Sequence, residues 1–315
     1  MFASSSRLLT KSLSSRTAKS LDANIASLPP IRYHIFQNPL PYPTGLNLQN
    51  KIIDRRLASR EGRPDAGRQD VLLLLEHTPT YTTGRRDHSP NPDTLHPEEK
   101  KVQHVGAGFY ITKRGGQVTY HGPGQLVGYP IFDLNALETS TRCYVSYLQS
   151  LLADYIREDL RCKGIIAPHP DGHVGVFASS TEKVASIGIH LRHRITSHGF
   201  AINITPEPLK WFDLVLACGL DDVRAACLHD LVERNASSSG VMPTNLPSVP
   251  GVARALVSRF ERVFGRECVE LSAAEGGNEV EELREMVGWA EEEARTLNEA
   301  AGGWARAPDL SRSVM

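Results

Sequence analysis

The chain has 315 residues, of which 40% are hydrophobic and 23% are charged, a composition that is ordinary for a globular protein. A net charge of −1 argues against bulk nucleic-acid binding, and no apolar run approaches the length of about 18 residues that a membrane-spanning helix needs. The five cysteines, an odd number without a Cys-x-x-Cys pair, indicate neither a disulfide framework nor a zinc ribbon, so a reducing compartment is expected.

The N-terminal stretch has a composition of its own. Basic residues alternate with serines and threonines, no acidic residue precedes Asp22, and several apolar residues can share one helical face. This composition is typical of a mitochondrial transit peptide, although a disordered basic tail has it too. We assign residues 1–28 to a transit peptide, which predicts a location in the mitochondrial matrix.

The globular region is expected to begin after Pro29-Pro30. A first strand is predicted from Ile31 to Phe36, followed by a helix that Thr44 could cap. The wholly apolar run from Val71 to Leu75 predicts a central buried strand, and His77 directly after it would either face a pocket or cap a turn. The polar stretches 60–69 and 87–101 are predicted to be loops.

The most informative stretch runs from Lys113 to Pro130 and reads KRGGQVTYHGPGQLVGYP. Gly115 and Gly116 lack Cβ atoms, so their backbone can approach a ligand closely or take a positive φ. Arg114 offers a planar fork of donors suited to phosphate or carboxylate, and His121 can act as base, donor or ligand near neutral pH. Taken separately, these features also fit a simple hairpin with solvated charges.

The middle of the chain is predicted to form one core helix and two half-buried strands, each with one apolar face. Residues 143–160 are amphipathic at helical spacing. His169 and His173 suggest a metal site, but without an accompanying cluster of cysteines or carboxylates a solvated loop is favoured. Residues 183–191 and 198–204 alternate as strands do, and Ser186, Gly188 and His190 form a face with room for a ligand.

Cys218 ends an apolar run and stands directly before Gly219. A buried structural cysteine is the usual interpretation, and the position at a strand-to-glycine junction weakens that interpretation. The other cysteines are predicted to be packing residues, namely Cys143, Cys162, Cys227 and Cys268. Further on, residues 235–250 are predicted to be a loop, 252–264 a helix ended by Gly265, and 279–300 an acidic helix with a solvated charged face.

The string Arg-Gly-Gly-x-x-Thr-Tyr-His-x-x-Gly-Gln-x-x-x-Tyr resembles the signature of the lipoyl(octanoyl) transferases, which are related to lipoate-protein and biotin protein ligases. Glu-His-x-Pro at 76–79, the lysine strand at 183–188 and His-Gly-x-Ala-x-Asn at 198–203 match that family as well. At 217–219 the chain has Ala-Cys-Gly where Pro-Cys-Gly is common, which changes backbone stiffness but not the thiol.

The resemblance implies an α/β (α+β) fold, the mixed-sheet catalytic domain of the biotin/lipoate protein ligase superfamily. It covers about residues 31–270, so the expected organisation is a transit peptide (1–28), a catalytic domain (29–270) and an acidic helical extension (271–315), whose function the sequence does not indicate.

The implied reaction moves octanoyl from acyl carrier protein to a lysine of lipoyl-domain proteins, such as the glycine cleavage H protein and the E2 subunits of 2-oxo acid dehydrogenases, without a cofactor or a metal. Cys218 would form the acyl thioester, and Lys183 would favour the thiolate and accept the proton of the incoming amine. His121 would orient the carbonyl or hold a substrate group, and backbone N–H groups near Gly115, Gly116 and Gly188 would stabilise the oxyanion.

The residues implied to border the substrate are Arg114, Gly115, Gly116, Gln117, Val118, Thr119, Tyr120, His121, Ser186, Ile187, Gly188, Gly199, Phe200 and Ala201. Two other functions stay open. An ATP-dependent lipoate-protein ligase would need no nucleophilic cysteine, and Cys218 together with the absence of a Gly-Arg-Gly-Arg-x-Gly string argues against it. A non-catalytic binding module would not depend on Cys218.

Overall fold

A computed structural model describes residues 28–60, 68–86, 95–215, 222–239, 245–273 and 275–311. Residues 1–27 of the predicted transit peptide, and Cys218, lie outside the described residues. Among the helices that are described, none combines the length and the apolar character needed to cross a lipid bilayer.

The strands are β1 (Ile31–Ile35), β2 (Val71–Leu75), β3 (Thr80–Thr82), β4 (Gly108–Tyr110), β5 (Thr119–His121), β6 (Gln125–Ile131), β7 (Val176–Ser179), β8 (Glu182–Arg192), β9 (Ile195–Asn203), β10 (Arg224–Ala225) and β11 (Cys268–Glu270). The helices are α1 (Tyr42–Arg60), α2 (Pro97–Lys101), α3 (Thr141–Asp154), α4 (Glu207–Phe212), α5 (Leu228–Ser239), α6 (Val249–Phe264) and α7 (Asn278–Ala301), and α3 continues into one π-helical turn, Tyr155–Asp159.

A mixed sheet of eight strands organises the described residues, in the order β10-β8-β9-β6-β2-β1-β11, with β7 paired to β8. β1 is parallel to β2 and β11, whereas β2, β6, β9 and β8 are antiparallel neighbours. A second sheet joins three short strands, β4-β3-β5. The combination of a mixed sheet with helices confirms the predicted fold class.

Helices cover both faces of the large sheet. One core cluster joins the sheet to α3 and α6, and another joins the opposite face to α1 and α7. β2 shows why both layers are needed, because Leu72 and Leu74 lie in the first cluster while Val71, Leu73 and Leu75 lie in the second. All five residues of β2 are buried, so the prediction of a central buried strand is confirmed.

The acidic C-terminal stretch forms α7, which packs against α1. Its apolar residues belong to the second core cluster, while glutamates such as Glu282 face solvent, as predicted. Arg55 of α1 pairs with Glu282, and its Nη1 donates to the backbone oxygen of Glu279 at 3.2 Å. The helix therefore contributes one layer of the same core that β2 and α1 share.

Several local predictions were wrong. α1 begins at Tyr42, before Thr44, because Pro43 suits the first turn of a helix. Residues 97–101 are helical rather than a loop, with Pro97 in the first turn and His96 as the cap. Residues 235–239 continue α5. Cys143 is exposed on the outer face of α3 and is not a packing residue.

Candidate active site

A cavity of about 650 Å³ lies between the loop at residues 114–117 and strands β6, β8 and β9. Its volume falls within the range of about 300–1,000 Å³ that is usual for ligand pockets. Lys183 and most of the substrate-binding residues expected from the sequence line it: Arg114, Gly115, Gly116, Gln117, Thr119, His121, Ser186, Ile187, Gly188, Gly199, Phe200 and Ala201.

Val118 and Tyr120 do not line the cavity, although both were expected to bind substrate. They lie in a third apolar cluster, where the ring of Tyr120 stacks on Trp211 with centroids 5.0 Å apart. The reason is the alternation of a strand, which turns Thr119 and His121 to one side and Val118 and Tyr120 to the other. The latter two are core residues.

Arg114 holds the motif loop in place. Its Nη2 donates to the backbone oxygens of Thr82 (2.6 Å) and Gln117 (2.8 Å), its Nη1 to the backbone oxygen of Gly115 (3.0 Å), and its Nε to Oγ1 of Thr82 (3.2 Å). The side chain is buried, so these carbonyls solvate the guanidinium in place of water. Most of the fork of donors is thus directed at the backbone and at the hydroxyl of Thr82, and binding of a phosphate or carboxylate by Arg114 stays a prediction.

Gly116 of the motif and Gly188 of β8 allow the loop to dock on that strand. Gly116 has φ +94°, and a Cβ on Gly188 would stand 2.8 Å from the backbone oxygen of Gly115. The N–H of Gly115 donates to the backbone oxygen of Ile189 at 2.9 Å. This N–H group is therefore occupied, and the prediction that it stabilises an oxyanion is wrong.

The predicted residues of β8 and β9 are register partners: Ser186 with Ala201, Ile187 with Phe200 and Gly188 with Gly199. On β8, Ile187 packs against the first core cluster, which confirms the apolar face predicted for that strand. The paired glycines let neighbouring backbone approach closely, because a Cβ on Gly188 would stand 2.8 Å from the Gly115 oxygen and one on Gly199 would stand 2.2 Å from the Gly128 oxygen.

Lys183 stands where β8 meets two other strands. Its Nζ lies 5.4 Å from the centroid of the Phe177 ring, and a Cβ on Gly175 would stand 2.5 Å from its Cε. β10 runs parallel beside it, with Ala225 as its register partner, and Ala226 donates its N–H to the Lys183 oxygen at 2.9 Å. The pairing of Lys183 with Cys218 stays a prediction, because Cys218 lies outside the described residues.

A chain of amides fixes the proton of His121. The amide nitrogen of Gln125 donates to the Tyr120 oxygen (3.1 Å) and to Oδ1 of Asn203 (2.8 Å). Oε1 of Gln125 therefore accepts from Nδ1 of His121 (2.7 Å), and Nε2 is left as an acceptor. Burial, followed by the nearby His77 and Arg114, holds the pKa of His121 well below its usual value, so the ring is neutral at neutral pH.

Sequence reasoning missed Tyr129 and left the role of His77 open. Nδ1 of His77 donates to the Leu40 oxygen (2.6 Å), and its Nε2 accepts from the Tyr129 hydroxyl (2.6 Å). Burial lowers the pKa of His77 to about 4. Tyr129 lines the cavity, and since its proton is committed to His77, its oxygen offers only lone pairs. Tyr129 is the final tyrosine of the motif string, and that position could have identified it as a site residue.

Basic residues surround the mouth of the cavity. Arg85 and Arg86 line it, both are exposed, and their backbone N–H groups bind the oxygens of Arg114 (2.8 Å) and Gly116 (3.2 Å). Burial, followed by the charges of Arg85, Lys113 and Arg192, lowers the pKa of His190. Arg85 and Arg86 therefore place positive charge at one side of the mouth, which favours anionic partners there.

Comparisons with known proteins identify the family of the chain. A family model for the catalytic domain of lipoyl protein ligases A and B matches residues 42–246. The chain is 32% identical over 249 residues to an octanoyltransferase of Acidobacterium capsulatum, a match that covers 74% of this chain and 89% of that protein. It is 34% identical over 204 residues to the mitochondrial octanoyl-[acyl-carrier-protein]:protein N-octanoyltransferase of Danio rerio, covering 65% of this chain and 84% of that one.

Among solved structures, a lipoate-protein ligase A bound with ATP superposes with a TM-score of 0.52 and 15% identity, covering 85% of this chain and 95% of the other. At that identity the similarity supports the fold alone.

Proposed function

Because this chain belongs to the lipoyl protein ligase A/B catalytic-domain family, we propose that it transfers octanoyl from octanoyl-acyl carrier protein to a lysine of lipoyl-domain proteins. The chain is an acyltransferase, as its octanoyltransferase relatives indicate. The observation that carries the proposal is the cavity of about 650 Å³ that brings Lys183 together with the motif loop and the glycine pair of β8 and β9.

The proposed nucleophile is the thiol of Cys218. The described chain resumes at Asp222, and Ala225, seven residues after Cys218, is the register partner of Lys183. The ammonium of Lys183 would favour the thiolate, and a decrease of about two units in the pKa of a thiol corresponds to roughly 2.7 kcal/mol. The pairing of β10 with β8, a few residues after Cys218, supports a position of Cys218 close to Lys183.

The reaction has two steps. The Cys218 thiolate attacks the thioester carbonyl, a new C–S bond forms, and the bond to the carrier's sulfur breaks, so that the carrier leaves as a thiol after taking a proton from the Lys183 ammonium, which becomes a neutral amine. The acceptor's lysine amine then attacks the acyl-Cys218 carbonyl, the amide forms, and Cys218 leaves as thiolate. The proton lost by the amine passes to Lys183. An amide replaces a thioester, so the transfer runs downhill without ATP and without a cofactor.

The hydrogen-bonding role of His121 and Tyr129 follows from where their protons are directed. Each offers a lone pair and no proton to the cavity, so neither can donate to an acyl carbonyl. We assign them to binding donors, such as the incoming amine or the amide N–H groups of the carrier's prosthetic arm. His121 would thus hold a substrate group, which is one of the two roles considered from the sequence.

The proposed partners are acyl carrier protein as donor, and the glycine cleavage H protein and 2-oxo acid dehydrogenase E2 subunits as acceptors. The exposed Arg85 and Arg86 at the mouth support docking of an acidic carrier. The proposed location is the mitochondrial matrix. It is supported by the basic, serine-rich N-terminal sequence and by the mitochondrial relative of Danio rerio.

The test is intact-mass spectrometry of the full chain mixed with octanoyl-acyl carrier protein in the absence of ATP. We expect a mass increase of one octanoyl group, which is absent in Cys218→Ser and retained in Cys143→Ser, a change at the exposed cysteine of α3. Addition of a lipoyl-domain acceptor should then move the octanoyl group to that acceptor. Transfer that requires ATP and free octanoate would instead establish the ligase function.

The variant Lys183→Met provides a second test in the same experiment. It should slow acylation of Cys218, whereas Lys163→Met, at an exposed lysine outside the cavity, should not. If Lys183→Met reacts at the wild-type rate, the proposed role of Lys183 is wrong even where the acyl-enzyme forms.

A further inference from the structure

A side-chain cluster that the proposed reaction does not use lies at the mouth of the cavity. His169, Asp171 and His173 share the loop between α3 and β7, and one ligand atom of each lies within 4.8 Å of the other two. Gly172, His173 and Val174 line the cavity. The sequence argued against a metal because no cluster of cysteines or carboxylates accompanies the histidines, whereas the structure places the carboxylate of Asp171 close to both rings.

The ring of His169 is held in one orientation. Its side chain is buried and packs on Phe177, with ring centroids 4.6 Å apart. Nε2 lies 3.2 Å from the backbone oxygen of Ser180, and because a carbonyl only accepts, Nε2 carries the proton. A histidine that binds a metal usually donates its second ring N–H to a carbonyl or carboxylate in this way.

The other ring nitrogen faces a negative charge. Nδ1 of His169 bears a lone pair, accepts the N–H of Asp171 at 3.2 Å and lies 3.7 Å from Oδ2 of the same residue. The ring centroid of His173 is 5.0 Å from that of His169. The N–H of Asp171 holds the lone pair of Nδ1 in this structure, and a metal ion at Nδ1 would replace that hydrogen bond.

The donors suit a transition metal. Two imidazoles and one carboxylate favour Zn²⁺ or its neighbours over Mg²⁺ and Ca²⁺, which prefer oxygen ligands. With metal–ligand bonds of about 2.0–2.1 Å, ligand atoms around Zn²⁺ are roughly 3.3 Å apart. The 3.7 Å between Nδ1 and Oδ2 is already close to that value. Asp171 is exposed, so water can complete the coordination.

We propose that His169, Asp171 and His173 form a binding site for a divalent transition-metal ion at the mouth of the cavity. The site is independent of the acyl-transfer chemistry, and its ligands come from a single His-x-Asp-x-His segment. His169 is the anchored ligand, and the side chains of Asp171 and His173 close on the ion by rotamer changes.

The test uses untagged full chain that has been stripped with a chelator. Titration with Zn²⁺ by calorimetry should give one equivalent, and Co²⁺ should develop the visible absorption of a site with nitrogen and oxygen ligands. His173→Ala and Asp171→Asn should each weaken binding about tenfold or more. The matched control is His34→Ala, because Nε2 of His34 also faces a carboxylate, that of Glu291 at 2.8 Å.

Circular dichroism would confirm that each variant is folded. The proposal is overturned if the wild-type chain binds neither ion saturably. It is also overturned if His173→Ala and Asp171→Asn bind as tightly as His34→Ala, because the ion then lies elsewhere.

Discussion

Nδ1 of His121 lies 2.7 Å from Oε1 of Gln125. The orientation of this amide is fixed by the two oxygens that accept hydrogen bonds from its nitrogen. If the amide were reversed, its oxygen would face the Tyr120 oxygen and Oδ1 of Asn203, both of which only accept. Asn203 is held in turn, since its Nδ2 donates to the Ala226 oxygen at 3.0 Å, one residue beyond β10. The same hydrogen-bond chain thus joins the backbone beside Lys183 to the ring of His121.

Gln125→Leu should therefore release the His121 ring without emptying the site. We expect kcat/KM for octanoyl transfer to fall about tenfold to a hundredfold, as loss of a positioning group does. Imidazole ¹⁵N shifts should show that His121 no longer has a single Nδ1–H tautomer. Gln103→Leu, at an exposed position, is the control for both measurements. Wild-type activity together with a mixed tautomer would show that the orientation of the ring does not matter.

Substitution of Gly199 tests whether β9 and β6 approach each other closely at this position. A Cβ at this position would stand 2.2 Å from the Gly128 oxygen and 2.6 Å from Cδ of Pro130, and neither atom can move without the sheet. Gly199→Ala should lower the free energy of unfolding by about 2–3 kcal/mol or more. Gly288→Ala in α7, where a Cβ meets nothing within 4 Å, should raise it by up to about 1 kcal/mol. Urea denaturation measures both, and equal midpoints would contradict the packing described here.

Leu283 tests whether α7 is part of the core. It is 2% exposed and belongs to the cluster that α1 and β2 share, whereas Leu297 of the same helix is 39% exposed. Leu283→Ala should cost about 2–4 kcal/mol of unfolding free energy, and Leu297→Ala less than about 1. If neither change affects the main unfolding transition, α7 unfolds separately from the sheet.

The sequence predicted what local patterns determine. The unbroken apolar run of β2, the alternation of β8 and the glycine after Phe264 each identify an element without reference to the rest of the chain. Gly265 has φ +59°, the left-handed conformation expected of a glycine that ends a helix.

Partners that are distant in sequence could not be read in that way. Arg114 binds Thr82 across the loop, and His77 meets Tyr129 only because β2 pairs with β6 in one register. The motif string also mixes residues that contact a ligand with residues that hold the strand. Alternation from Val118 through β5 could have separated Val118 and Tyr120 from Thr119 and His121, but that strand is too short to stand out from the motif.

The buried histidines predict how stability depends on pH. Burial lowers the pKa of His77 to about 4 and that of His198 to about 3, and it holds the pKa of His121 well below the ordinary value. In the unfolded chain each ring titrates near pH 6.5. Between the two pKa values the unfolded chain binds more protons, so acidification favours unfolding.

We therefore expect the free energy of unfolding to be nearly constant between about pH 7 and 8 and to fall from about pH 6.5 towards pH 4. The slope approaches about 1.4 kcal/mol per pH unit for each histidine that stays neutral in the folded state. Urea denaturation at pH 7.5, 6.0 and 5.0 measures it. His77→Gln, which can still accept a hydrogen bond from Tyr129, should reduce the slope of unfolding free energy against pH by the contribution of one histidine. Gln103→Leu removes no titrating group and should leave that slope unchanged. A slope that His77→Gln does not alter would mean that His77 is protonated in the folded chain, and Tyr129 would then have to direct its proton into the cavity.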